Sequence, residues 1–154
     1  MAEIVTQLAE LAKRRALTVA VAESLTAGNL AAALGAAADS AQWFRGGVVA
    51  YSAEVKRRVL DVPDIPVVSA AAAIAMAEGV RSLMAADLTV ATTGVGGPGP
   101  QDGEAPGSVW FAVASRRDAR ARHRRFDGEP ADVLDRTVRY AIELLWSAAR
   151  NLTD

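Results

Sequence analysis

The residues in this sequence best suited to doing chemistry together are a serine, a tyrosine and a lysine. Ser24 ends the run Thr18-Val19-Ala20-Val21-Ala22-Glu23-Ser24-Leu25-Thr26-Ala27-Gly28, and Tyr51 and Lys56 fall in Tyr51-Ser52-Ala53-Glu54-Val55-Lys56. A free serine hydroxyl is a poor nucleophile and needs a base beside it. A lysine partly desolvated near another cation or a dipole can lose its proton near neutral pH and serve as that base. Tyr51, just before the helix that would carry Lys56, is placed to relay a proton or orient the amine, and Ser-Lys pairs are an established form of acyl-transfer chemistry. Each residue also has a plainer reading. Ser24 and Thr26 would be helix caps, Lys56 with Arg57 and Arg58 a solvated helix face, and Tyr51 a strand-end residue with its hydroxyl in water.

Other constellations are weaker. Gly94-Val95-Gly96-Gly97-Pro98-Gly99 fits G-x-G-x-x-G, but Pro98, Pro100 and Pro106 lead into another strand rather than a helix. The dinucleotide fingerprint therefore fails on context, and no Gly-Lys-Ser/Thr completes a P-loop. What remains is a glycine-lined loop whose amides can hold an anion or an oxyanion, or else a tight surface crossover. His123, the single histidine, lies among Arg120, Arg122, Arg124 and Arg125, and nothing in the sequence aims it at Ser24. With Arg116 and Arg117 these arginines form a basic run in which alternation sets Arg120, Arg122 and Arg124 on one face. That pattern reads first as a charge-guarded edge strand. Phosphate contact is the alternative, without the aromatic interleaving that stacks nucleic-acid bases. The scattered acids Asp39, Asp102 and Glu104 form no metal-ligand pattern.

The elements that must position these residues follow from periodicity. Ile4, Val5, Leu8, Leu11 and Ala12 recur at helical spacing and predict a helix over 3–15. Residues 17–22 predict a first strand, 27–34 a helix and 48–51 a second strand. Ser52 caps a helix over 53–60 and Ser69 one over 70–84, with Pro63 and Pro66 between them. Strands are predicted at 87–93, 108–114 and 121–126, the last two joined by a hairpin turn at 116–119, and a final helix covers about 131–151. Helices alternating with strands predict a parallel sheet covered on both faces, and the hairpin adds an antiparallel edge. The expected fold is α/β: one three-layer α/β/α domain over 1–154, with a mixed, mostly parallel sheet of about five strands. Three strand exits, at 23–28, 51–56 and 93–107, should then meet at one edge of the sheet, where open α/β folds bind ligands.

The whole chain narrows the function classes. Its 154 residues suit one core, 51% are hydrophobic and 23% charged, and the net charge of −1 gives no general pull toward nucleic acid or an anionic membrane. No apolar run approaches the roughly 18 residues that span a bilayer. The first residues have neither the basic flank nor the apolar core of a signal peptide, so a cytoplasmic location is expected. With no cysteine and one histidine, thiolate catalysis, disulfides and multi-His metal sites within one chain are excluded.

Several ordered motifs resemble the carboxy-terminal domain of CinA and its stand-alone relatives, the nicotinamide mononucleotide deamidases. They are Ala22-Glu23-Ser24-Leu25-Thr26-Ala27-Gly28, Phe44-Arg45-Gly46-Gly47-Val48-Val49-Ala50-Tyr51-Ser52-Ala53-Glu54-Val55-Lys56, Leu60-Asp61-Val62, Thr93-Gly94-Val95-Gly96-Gly97-Pro98 and Gly107-Ser108-Val109-Trp110. The resemblance implies an amidohydrolase of NAD salvage that converts nicotinamide mononucleotide and water to nicotinate mononucleotide and ammonia. By the same resemblance Ser24 attacks the carboxamide carbon, Lys56 is its base and Tyr51 completes the hydrogen-bonded set. Thr26, Gly28, Gly46, Gly47, Thr93, Gly94, Gly96 and Gly97 then fall on the substrate side, and no metal or organic cofactor is needed. A pyridine nucleotide is the expected small-molecule partner, and the resemblance also implies a homo-oligomer.

The sequence departs from that pattern in places. Pro98-Gly99-Pro100-Gln101-Asp102 stands where many relatives have further glycines and a threonine, and Glu104-Ala105-Pro106-Gly107 replaces a lysine-proline-hydrophobic-glycine pattern. Gly128-Glu129-Pro130 stands where Gly-Asp-Arg is frequent, and Leu134 where a second arginine often lies, leaving Arg136 as the candidate to compensate. No counterpart of the molybdopterin-binding-like amino-terminal domain of many full-length relatives is expected here. The departures bear on phosphate recognition more than on the three catalytic positions. They also support a second reading, a CinA-like module that binds a nucleotide or protein partner without chemistry. A Ser24–Lys56 separation near hydrogen-bond reach, ~3 Å, distinguishes the two.

Overall fold

The structure, a computed structural model, describes residues 1–152. In chain order the elements are α1 (Ala2–Arg15), β1 (Val19–Glu23), α2 (Asn29–Gly35), a 3-10 turn (Ser40–Gln42), β2 (Phe44–Val49), α3 (Ala53–Leu60), α4 (Ala70–Met84), β3 (Leu88–Gly94), β4 (Ser108–Ser115), β5 (Ala119–Arg125) and α5 (Pro130–Asn151). The five strands form one sheet in the order β2-β1-β3-β4-β5. β1 pairs in parallel with β2 and β3, while β4 runs antiparallel to both β3 and β5. The sheet is therefore mixed, with β4 the one reversed strand among those described.

From β1 the chain first steps outward to β2 through α2, then crosses back to β3 through α3 and α4. Crossovers of the same hand in opposite directions put their helices on opposite faces. Alternate strand residues separate accordingly. Val19, Val21, Leu88, Val90, Val109 and Phe111 pack with α1, α2 and α5, whereas Ala20, Ala22, Ala91, Ala112 and Ala114 pack with α4 and Leu60 of α3. The second face is lined mostly by alanine, so α4 lies close to the sheet. Gly79 shows how close α4 and α3 come: a Cβ there would press into the Leu60 carbonyl oxygen.

Most predicted elements are present, with informative shifts. The helix predicted from residue 27 starts at Asn29, because Ala27 and Gly28 adopt left-handed backbone conformations with φ of 49° and 99°. The second strand begins at Phe44 rather than Val48: Phe44, Gly46 and Gly47 pair with β1, and Arg45 stands unpaired at a shift of register between them. Ser52 and Ser69 cap α3 and α4 as expected, accepting from the Val55 and Ala72 amides at 3.2 and 3.1 Å. β5 is an edge strand. Arg124 lies 4.7 Å over the Tyr140 ring of α5, and Arg120 pairs with Asp118. Among the described residues no helix is long and apolar enough to cross a membrane.

The α3–α4 approach yields a stability prediction. Gly79→Ala should cost about 1–3 kcal/mol by overpacking against the Leu60 backbone. Gly35→Ala, where an added Cβ meets nothing within 4 Å, should be neutral or stabilising through helix propensity. Urea denaturation of the two variants checks this, and equal midpoints would contradict the close approach.

Candidate active site

Strand alternation at the end of β1 sends two neighbouring polar side chains to opposite layers. Glu23 turns toward α2, where its carboxylate accepts from the Leu30 and Ala31 amides at 2.8 and 3.0 Å. Ser24 turns toward α3. Its own amide donates to the Thr92 carbonyl at 3.1 Å, which fixes it beside the end of β3. Below it Thr26 and Thr92 share a buried hydroxyl–hydroxyl bond of 2.9 Å. The serine thus stands at the switch point between the carboxyl ends of β1 and β3, and it is 8% exposed.

Lys56 reaches it from α3. Ser52 fixes the first turn of that helix, and one turn on, the lysine is directed inward while Arg57 and Arg58 stay in water. Lys56 Nζ donates to Ser24 Oγ at 3.0 Å and to the Tyr51 backbone carbonyl at 3.3 Å. The residue is 2% exposed, and no salt bridge among the described residues includes it. Burial without a carboxylate disfavours the ammonium, and desolvation holds the Lys56 amine below its ordinary value of 10.5. The arrangement is a hydroxyl in contact with a buried amine that gives up its proton more readily than a free lysine. That is the pairing a serine nucleophile requires.

The pair opens onto a cleft of about 740 Å³. One wall is the Tyr51–Ala53 link with Val67 and Val68. The second is the loop from Thr93 to Asp102, and the third is the start of α5 at Pro130, Ala131 and Leu134. Tyr51 is 69% exposed. It lines the cleft and holds Lys56 through its backbone carbonyl.

Of the positions the sequence assigns to the substrate, Thr93, Gly94, Gly96 and Gly97 border this cleft. Thr93 is anchored there, its hydroxyl donating to the Val67 carbonyl at 2.6 Å. Thr26 lies buried beneath Ser24, and Gly28 forms the left-handed entry to α2. Gly46 and Gly47 lie within β2, where a Cβ on Gly47 would come 2.6 Å from Val21 Cγ2. These four support the site from outside the cleft. Arg136 is exposed and donates to the Asp127 carbonyl at 3.4 Å, so it does not line the cleft. His123 is three strand positions from β1 and bonds Ser108 Oγ at 2.8 Å, which removes it as a partner for Ser24. Sequence reading missed Val67, Val68 and Thr92. The adjacent hydroxyls Thr92 and Thr93 at a strand end were the available signal. Among the described residues no group of three His, Asp or Glu could hold a metal ion.

Glu23 makes a prediction about the scaffold. Glu23→Gln replaces one acceptor oxygen with a donor facing a buried amide and should cost about 1–3 kcal/mol. Glu23→Ala should cost at least as much. An unchanged urea midpoint for both would show that the clamp on α2 contributes nothing.

The sequence and the fold have counterparts among known proteins. The model for the CinA C-terminal domain matches residues 1–149. A putative competence-damage inducible protein of Desulforamulus reducens is 40% identical over 133 residues, covering 83% of this chain and 32% of that protein. A CinA-like protein of Geobacter sulfurreducens is 38% identical over 154 residues, covering 96% and 37%. The chain thus spans about a third of the length of the curated relatives it matches. Among solved structures, a CinA superfamily protein of Klebsiella pneumoniae superposes with a TM-score of 0.94 at 37% identity, covering 98% of both chains. The competence/damage inducible protein CihA of Agrobacterium tumefaciens gives 0.91 at 30%, covering 97% of this chain and 95% of that one. The fold, the ordered motifs and the extent of these matches agree: the chain belongs to the CinA C-terminal domain family.

Proposed function

We propose that the chain is a metal-independent amidohydrolase that cleaves the carboxamide of a pyridine nucleotide. In the form the resemblance implies, nicotinamide mononucleotide and water give nicotinate mononucleotide and ammonia, a step of NAD salvage. The observation that carries this reading is the 3.0 Å contact between the buried Lys56 amine and Ser24 Oγ at the mouth of a cleft. It favours chemistry over a silent binding module, in which the two side chains would have no reason to meet out of water.

The steps balance. As a neutral amine, Lys56 takes the Ser24 hydroxyl proton while Oγ bonds to the amide carbon. The carbonyl oxygen becomes an oxyanion, which backbone amides of the loop bordering the cleft are suited to hold. Lys56 passes its proton to the nitrogen, the C–N bond breaks, and ammonia leaves an ester on Ser24. Water then attacks that ester, giving one proton to Lys56, and that proton returns to Ser24 Oγ as the product departs as a carboxylic acid, which then ionises to the carboxylate by giving its remaining proton to solvent or to ammonia. Each proton taken from or returned to Ser24 Oγ moves through one amine, so that amine must begin each half-reaction uncharged.

The test is ammonia release from a small panel of pyridine carboxamides: the mononucleotide, the riboside and the free base. Ser24→Ala and Lys56→Met should each lower the rate by at least about a thousandfold while circular dichroism stays native. Tyr51→Phe should retain most of the rate, because the carbonyl that holds Lys56 remains. No ammonia from any member of the panel with folded wild-type protein would sink the reading.

A further inference from the structure

We propose that the groove between the second half of α5 and the strands β4 and β5 is a binding site for a small aromatic carboxylate. It lies at the end of the sheet away from the serine–lysine cleft, where Leu88 opens β3 and pairs with Ser115 at the close of β4. Its volume is about 270 Å³. Pockets for drug-sized ligands run roughly 300–1,000 Å³, so this one suits a single ring with its charged group rather than a whole nucleotide.

The floor of the groove is apolar, made by Leu88, Val113, Leu144 and Ala148, and its outer rim is the arginine run of β5. Alternation along β5 sets Arg120, Arg122 and Arg124 on one face. At Arg124 the protein fills the space beneath the guanidinium itself, with the Tyr140 ring at 4.7 Å. Toward the hairpin the strand runs back to Arg122 and Arg120 while α5 runs on to Leu144, Ser147 and Ala148. Seven residues of helix advance about 10 Å, so Ser147 repeats the Tyr140 position on the same helical face. That level falls between Arg122 and Arg120, roughly 7 and 14 Å along the strand from Arg124. A serine there supplies no ring. Arg122 donates to the Ala121 carbonyl at 3.1 Å and Arg120 Nε to Asp118 at 2.9 Å, and among the described residues neither guanidinium lies over an aromatic ring.

A flat aromatic carboxylate completes both halves of this arrangement. Its ring rests on Leu144 and Ala148 beneath one guanidinium, as Tyr140 does beneath Arg124, and its carboxylate accepts from the other. The charged residues lining the groove are Arg117, Arg120 and Arg122 against Asp118, a balance that favours an anion over a neutral or cationic ring. The site uses residues outside the catalytic cleft and stands independently of the amidohydrolase reading.

The experiment titrates the full chain, labelled with nitrogen-15, with benzoate and follows the backbone amide resonances. Benzoate should shift Leu88, Ser115, Leu144 and Ala148 with a dissociation constant on the order of 1 mM. Acetate, a charge without the ring, and benzyl alcohol, a ring without the charge, should each bind at least about tenfold more weakly. Replacing both arginines, Arg120→Gln with Arg122→Gln, should weaken benzoate by about tenfold or more. Ser147→Phe, which supplies the ring from the helix, should abolish the shifts while circular dichroism stays native. No shift at the groove, shifts confined to Thr93 and Gly96 at the catalytic cleft, shifts that acetate reproduces at the same concentration, or binding that these variants leave unchanged would each overturn the inference.

Discussion

A buried amine in contact with a hydroxyl, and with no acid paired to it among the described residues, is the constraint on which the rest of this structure depends. Taking a lysine ammonium out of water without a counterion is costly enough that the group sheds its proton instead. Lys56 meets that condition because Ser24 Oγ and the Tyr51 carbonyl are the polar groups its amine reaches. Neither carries a charge that would hold the proton in place. A carboxylate at the same position would favour the ammonium instead.

Keeping that pair together requires much of the scaffold. The alternation of β1 sends Glu23 and Ser24 to opposite layers, so one strand end both anchors α2 and presents the hydroxyl to α3. The Thr92 carbonyl ties Ser24 to β3, and the Thr26–Thr92 bond fixes the floor beneath it. Ser52 sets the first turn of α3 and with it the direction of Lys56. Alanines on the α4 face of the sheet let the helical layer approach closely enough for a lysine from α3 to reach the strand end. Small residues in the core and a long one at the site are two sides of the same geometry.

Where the chain states its chemistry locally, the sequence could be read directly. Ser52 and Ser69 announce α3 and α4 because an N-cap is satisfied within its own turn. The apolar run of β1 and the hydroxyl that follows it told of a strand delivering Ser24, and motif spacing paired that serine with Lys56. The extent of β2 was not legible, because Arg45-Gly46-Gly47 looks like a break until β1 is beside it, where Gly46 and Gly47 pair and the register steps past Arg45. Gly28, Gly46 and Gly47 share the ordered motifs but serve backbone geometry, a distinction that depends on where neighbouring strands lie. Tyr51 was expected to relay a proton or orient Lys56; its backbone carbonyl, which no residue type reveals, accepts from the amine. Arg136 looked able to replace a missing arginine, yet its position on α5 turns it to the Asp127 carbonyl.

The central claim, that Lys56 is an uncharged base held against Ser24, is tested most directly by following the titration of that one amine. Lysine side chains labelled with carbon-13 report protonation through the Cε resonance, and Lys56→Met assigns the Lys56 signal by its disappearance. The account predicts a midpoint clearly below the ordinary lysine value of 10.5, because burial disfavours the ammonium. In Ser24→Ala, where the cavity is kept but the hydroxyl is gone, the midpoint should stay low. A wild-type Lys56 that titrates at or above 10.5 would contradict the account, since a permanently charged ammonium cannot take the proton of Ser24.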